Sequence, residues 1–123
     1  MKIPRILVID DEPGFTRLLK LVLNRYHIRE ENDSGRAFET VLSFQPDLIL
    51  MDVVMPEIDG GNLAAKIRAD PRLSHIPIIF LTAVVAPSEE DAGPRIFGGF
   101  PFLAKPVSPD ALERCIAQQL RTE

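Results

Sequence analysis

The stretch Pro46-Asp47-Leu48-Ile49-Leu50-Met51-Asp52 constrains this chain more than any other. Residues 48 to 51 are an unbroken apolar run, followed by Asp52 and the acidic, Pro-containing Val53-Val54-Met55-Pro56-Glu57-Ile58-Asp59-Gly60. An apolar run without polar alternation reads as a strand buried on both faces, as in the middle of a parallel sheet. Asp52 then stands at the carboxyl end of a central strand, where open α/β sheets place their ligands and chemistry.

The rest of the chain supplies that sheet. Arg5-Ile6-Leu7-Val8-Ile9 is a β-branched run that stops at Asp10-Asp11-Glu12-Pro13, so a first strand delivers three carboxylates to its carboxyl end. Phe15, Leu18, Leu19, Val22 and Leu23 fall at helical spacing and predict a first helix packed through that face. Ile28 to Asn32 carries charge on both faces and reads as an edge strand, where charge discourages pairing with other chains. Ser34 is the expected cap of a second helix through Phe38, Val41 and Leu42, which ends before Pro46.

Beyond Asp52, Asp59 is the expected cap of a third helix carrying Leu63, Ala64 and Ile67 inward to Asp70-Pro71. Pro77-Ile78-Ile79-Phe80-Leu81-Thr82 is a fourth strand, with proline tolerated at its first position. Ser88-Glu89-Glu90-Asp91 has a capping pattern, but Gly93-Pro94 predicts that a helix from Ser88 to Phe97 is short or irregular. Phe102-Leu103-Ala104 is a short fifth strand ending at Lys105-Pro106. Ser108-Pro109 then provides a cap and a first-turn proline for a last helix with Leu112, Cys115, Ile116 and Leu120 on its buried stripe.

At 123 residues the chain is one domain, spanning residues 1-123. Five strands alternating with helices predict an α/β fold: a flavodoxin-like, doubly wound (βα)5 unit whose five-stranded parallel sheet has the order 2-1-3-4-5, with helices on both faces. The first and third strands are then neighbours, and Asp10, Asp11 and Asp52 converge at the switch point between them. Three carboxylates so close repel one another unless a cation neutralises them. Hard oxygen ligands suit Mg2+, which keeps several waters and often shares its site with a phosphoryl oxygen. Lys105 leaves the fifth strand at the same edge and is able to place an ammonium on a phosphoryl oxygen, with the Thr82 hydroxyl on another. An aspartate can itself accept a phosphoryl group as a covalent carboxyl phosphate.

The set Asp10-Asp11, Asp52 within Met51 to Gly60, Leu81-Thr82-Ala83 and Lys105-Pro106 resembles the receiver domain of bacterial two-component response regulators, in order and near its spacing over nearly the whole chain. The resemblance implies that Asp52 is the phosphoacceptor. Asp10, Asp11, Asp52 and the backbone carbonyl of Val54 would be the Mg2+ ligands. Thr82 would be the switch hydroxyl, Lys105 the phosphoryl-contacting lysine and Phe102 the switch aromatic, and a cis bond is expected at Lys105-Pro106. The implied phosphoryl donor is a sensor histidine kinase or a histidine phosphotransfer protein, with Mg2+-dependent self-phosphorylation from small phosphodonors. The resemblance leaves room for a downstream effector or output domain and for a homodimer. Val54 and Val84 stand where the family positions the hydrolytic water. Neither orients a water, so autodephosphorylation is expected to be slow. Two departures are visible: Gly93-Pro94 interrupts the segment that normally contributes a fourth helix to the output surface, and Gly98-Gly99 replaces the usual Gly-Ala pair.

Each residue also has a plainer reading. Asp52 alone reads as a helix cap, and Asp10-Asp11-Glu12 as a solvated first turn favoured by the helix dipole. Thr82 reads as a strand-end hydroxyl, Lys105 as a surface lysine and Phe102 as core. Cys115 reads as inert packing. His27 and His75 lack metal-ligand spacing and read as surface residues. An aspartyl-phosphate-forming phosphatase-like enzyme stays open as an alternative, although its two aspartates would be two residues apart rather than adjacent. So does a non-signalling flavodoxin-like binding module, although Asp10-Asp11-Glu12 would repel phosphate without a metal.

Composition narrows the setting. A net charge of -4 gives no basic footprint, so no direct nucleic acid contact is expected. No apolar run approaches the roughly 18 residues that cross a bilayer, and no signal peptide is visible. The single cysteine cannot close an internal disulfide, which fits a reducing, cytoplasmic setting.

Overall fold

The computed structural model describes residues 3–53, 60–82, 95–97 and 100–121. In chain order the elements are β1 (Arg5–Ile9), α1 (Pro13–Val22), β2 (His27–Glu31), a 3-10 turn (Ser34–Arg36) running into α2 (Ala37–Phe44), β3 (Leu48–Met51), α3 (Gly60–Ala69), β4 (Ile78–Thr82), β5 (Arg95–Phe97), β6 (Phe100–Ala104) and α4 (Pro109–Arg121). The sheet runs β2-β1-β3-β4-β6-β5. Its first five strands are parallel, with β6 fifth, which is the flavodoxin-like order 2-1-3-4-5 expected from the sequence.

Side chains alternate across the sheet and build a core on each face. Leu7, Ile9, Ile49, Met51, Phe80 and Phe102 pack with Val41 of α2 and Leu63 and Ile67 of α3. Ile6, Val8, Leu50 and Leu81 pack on the other face with Leu19 and Leu23 at α1, and with Leu112 and Ile116 of α4. All four residues of β3 are fully buried, because helices cover both sides of it. Cys115 lies inside the second core, and burial pushes its thiol pKa up, as expected of packing rather than reactivity.

Local chemistry sets the element ends. Pro13 occupies the first turn of α1, where its missing N–H costs nothing. Ser108 caps α4, its Oγ accepting from the Ala111 N–H at 3.3 Å. α2 ends at Gln45, whose left-handed φ of 52° turns its carbonyl to accept 2.8 Å from the Arg5 guanidinium. Among the described residues no helix is long and apolar enough to cross a membrane.

Three expectations need correction. Ser34 is buried and does not cap; Asp33 does, its carboxylate accepting from the Gly35 N–H at 2.9 Å, because the chain enters α2 through a 3-10 turn. Leu18 is 53% exposed, since the contact face of α1 runs through Thr16, Leu19 and Leu23 and leaves Leu18 to one side. Arg95–Phe97, expected as the end of an irregular helix, forms a strand antiparallel to β6 with Phe97 opposite Phe100. The charge of β2 does mark the sheet edge, but Glu30 and Glu31 are not merely solvated: they accept from the hydroxyls of Thr16 and Thr40. The expectations for Val54, Asp59 and Val84, and for residues 88–94, fall outside the described residues.

Candidate functional site

Parallel pairing of β1 with β3 puts Ile9 opposite Met51, so the next residue of each strand, Asp10 and Asp52, emerges at the same sheet edge. The Asp52 N–H continues the ladder to the Ile9 carbonyl at 3.1 Å, and the Asp10 N–H reaches the Glu31 carbonyl at 3.1 Å. β6 delivers Lys105 there from the other side of β4: Thr82 pairs with Ala104, and the chain turns at a cis Lys105-Pro106 bond. Asp10, Asp52 and Lys105 thus leave the ends of three strands held in one sheet.

Oxygen atoms of Asp10, Asp11 and Asp52 lie within 4.8 Å of one another. Asp10 is buried, Asp52 half-buried and Asp11 exposed. Lys105 Nζ lies 2.7 Å from Asp10 Oδ2, 3.3 Å from Asp52 Oδ2 and 3.6 Å from Glu12 Oε1. The second Asp10 oxygen accepts from the Glu12 N–H at 3.0 Å. Burial raises the Asp10 pKa, and the Lys105 hydrogen bond and charge only partly offset this. Burial alone would lower the Lys105 pKa, but its bonds and charge interactions with Asp10 and Asp52 outweigh that and raise it. The ammonium therefore stays charged among the carboxylates.

Of the residues singled out in the sequence, Asp10, Asp11, Asp52 and Lys105 converge. Thr82 ends β4 beside them in register, and Phe102 is buried in the core opposite Phe80. His27 and His75 are exposed and apart from the cluster, as expected. Sequence reasoning missed Phe15, whose ring centre lies 4.1 Å from Lys105 Nζ. It also missed the amide of Asn32 behind Asp10. Phe15 follows the acidic pair by about one helical turn, a signal that spacing carried; the reach of Asn32 from β2 had no local signal.

Beside the acidic cluster, Phe15, Leu18, Val22, Pro106, Val107 and Leu112 line an apolar groove of about 410 Å³ between α1 and the start of α4, with Lys105 also in its lining. Leu21 nearby is 68% exposed.

The response regulator receiver domain family model matches residues 6–117. The chain is 36% identical over 105 residues to response regulator PleD of Caulobacter vibrioides, covering 84% of this chain and 23% of that protein. It is 30% identical over 118 residues to response regulator Rre1 of Synechocystis, covering 94% and 51%. The chain thus spans from about a quarter to about half the length of these curated relatives. The crystal structure of a signal receiver domain of a signal transduction histidine kinase from Syntrophus aciditrophicus matches with a TM-score of 0.78 at 27% identity, covering 97% of this chain and 91% of that one.

Proposed function

This chain belongs to the response regulator receiver domain family, and on that footing we propose that Asp52 accepts a phosphoryl group from a phosphohistidine on a sensor histidine kinase or histidine phosphotransfer protein. The observation that carries this reading is the convergence of the Asp10, Asp11 and Asp52 carboxylates with Lys105 bridging two of them. Three clustered hard oxygen donors fit Mg2+, so Asp10, Asp11 and Asp52 are the residues that would hold it, and the family resemblance adds the carbonyl of Val54. When bound, the ion supplies positive charge to the phosphoryl oxygens.

The chain's own residues do the rest. A carboxylate oxygen of Asp52 forms a bond to phosphorus as the bond from phosphorus to the histidine nitrogen breaks, and the imidazole leaves with the electron pair. Lys105, already charged and held at the site, stabilises the negative charge on the transferring group. Thr82, at the end of β4, and Phe102, packed in the core from β6, are the proposed switch pair that passes the change to an effector, an output domain or a second copy. The apolar groove lined in part by Lys105 is the proposed seat of the phosphodonor's helical face, because a partner there brings its histidine near Asp52. A cytoplasmic location suits this chemistry and these donors.

Incubation with Mg2+ and acetyl phosphate, followed by mass spectrometry, tests the reading. The wild-type chain should gain one acid-stable, base-labile phosphoryl group, and Asp52→Ala should gain none. Equal labelling of Asp52→Ala would overturn the assignment.

A further inference from the structure

The main chain of Asp10 is gripped at both ends by consecutive residues of β2 and its exit. Its N–H donates to the Glu31 carbonyl at 3.1 Å. Its carbonyl accepts from Asn32 Nδ2 at 2.8 Å. The second hydrogen of the same amide points to Thr16 Oγ1 at 3.0 Å. Thr16 is fully buried on α1, and its hydroxyl lies 2.8 Å from Glu30 Oε1 and 3.1 Å from the Pro13 carbonyl. With one proton to give, it donates chiefly to the carboxylate, the stronger acceptor. Asn32 thus spends both amide hydrogens, and Thr16 accepts one bond while donating another.

The consequence runs through one peptide plane. The Asp10 carbonyl belongs to the rigid peptide unit that joins Asp10 to Asp11. A bond that fixes that carbonyl also fixes the plane carrying the α-carbons of both aspartates, and so narrows the directions open to their carboxylates. Burying a hydroxyl and an amide is costly unless each is hydrogen-bonded, and here each is. We infer that Asn32, braced by Thr16 and Glu30, is a positioning residue for the Asp10-Asp11 pair: it tunes how well the acidic site holds Mg2+ without touching the ion or the phosphoryl group. This inference rests on the metal-binding reading above.

The test uses the whole chain. Thr16→Val removes the hydroxyl at constant shape, Thr16→Ser restores it, and Asn32→Ala removes both amide donors at a half-buried position. Calorimetric titration with Mg2+ alone should show affinity weakened about tenfold in Thr16→Val and Asn32→Ala, the scale expected when a partner behind a ligand is lost. Thr16→Ser should stay within about twofold of wild type. The phosphorylation rate with acetyl phosphate should split the same way: a higher Mg2+ requirement, with the rate at saturating Mg2+ nearly unchanged. In EDTA, the Asp10 amide should exchange faster in Asn32→Ala than in wild type. A purely structural role would lower stability in both variants but leave the Mg2+ affinity of the folded protein unmoved. That result, or equal loss in Thr16→Ser, overturns the inference alone. Wild-type protein that takes up no Mg2+ overturns the metal-binding reading and the inference together. If Thr16→Val fails to fold, Asn32→Ala and Thr16→Ser still decide it.

Discussion

Lys105 Nζ lies 2.7 Å from Asp10 Oδ2, an ion pair in which both side chains are largely removed from solvent. Removing one partner of such a pair leaves the other charge buried and uncompensated. In Lys105→Ala the influences that lower the Asp10 pKa through Lys105 disappear, while burial and the Asp52 charge, which raise it, remain. Asp10 already titrates above its ordinary value of 3.8. The folded state therefore binds more protons than the unfolded state between 3.8 and the folded pKa, and stability falls as pH rises through that window. Lys105→Ala should widen the window upward. Urea denaturation in EDTA at several pH values should show the variant losing stability more steeply toward neutral pH than wild type. Adding Asp10→Asn should flatten the difference; parallel curves for Lys105→Ala and wild type would contradict the account.

Gly60 carries a second expectation. A Cβ built there would collide with the Asp52 carbonyl oxygen and lie 2.9 Å from Val53 Cα, both backbone atoms that no rotamer change can move. The Gly60 N–H also bonds the Val53 carbonyl at 2.7 Å. Gly60→Ala should push α3 away from the Asp52 loop, destabilise the chain by about 1–3 kcal/mol and slow phosphorylation more than that loss explains. Gly14, with nothing within 4 Å of its virtual Cβ, is the control: Gly14→Ala should be neutral or slightly stabilising. Similar denaturation midpoints for the two variants would show that the close approach is not limiting.

The groove beside Lys105 separates protein donors from small ones. Leu18 is 53% exposed and lines that groove, so Leu18→Arg should change stability little. It should nevertheless slow transfer from a phosphorylated histidine kinase or phosphotransfer protein by about tenfold, equivalent to ~1.4 kcal/mol. Phosphorylation by acetyl phosphate, which needs no docking surface, should be unchanged. A loss with acetyl phosphate as well would mean that the substitution disturbs Asp52 or Lys105 rather than docking.

The parallel sheet and the acidic cluster were legible because their signals are local. A four-residue apolar run, a β-branched run stopping at Asp10-Asp11 and an X-Pro step after a short strand each name their own place. What escaped was set by contacts distant in sequence. Asn32 reaches the Asp10 carbonyl across 22 residues, and nothing around Asn32 announces it. The β5 pairing escaped for another reason: the Gly93-Pro94 interruption drew Arg95–Phe97 into a failing helix. Gly98-Gly99 between Phe97 and Phe100 was also available as a hairpin signal. Leu18 was misplaced because apolar spacing defines a stripe wider than the contact that buries it.

The Phe15 ring completes the surroundings of Lys105, its centre 4.1 Å from Nζ. Three carboxylates draw the ammonium toward the sheet edge, and the ring face offers it a further weak electrostatic contact, worth about 0.5–2 kcal/mol depending on exposure. Phe15 also lines the proposed docking groove, so its loss would both release the lysine and reshape that surface. Two substitutions separate these roles. Phe15→Leu keeps an apolar side chain but removes the ring, and should slow acetyl phosphate labelling of Asp52 about threefold to tenfold as Lys105 loses this restraint. Phe15→Tyr keeps the ring face and should label at the wild-type rate. The Lys105 side-chain nitrogen, followed by NMR, should shift in Phe15→Leu and not in Phe15→Tyr. If labelling by acetyl phosphate is unaffected in Phe15→Leu while transfer from a protein donor falls, Phe15 serves the groove and not the lysine.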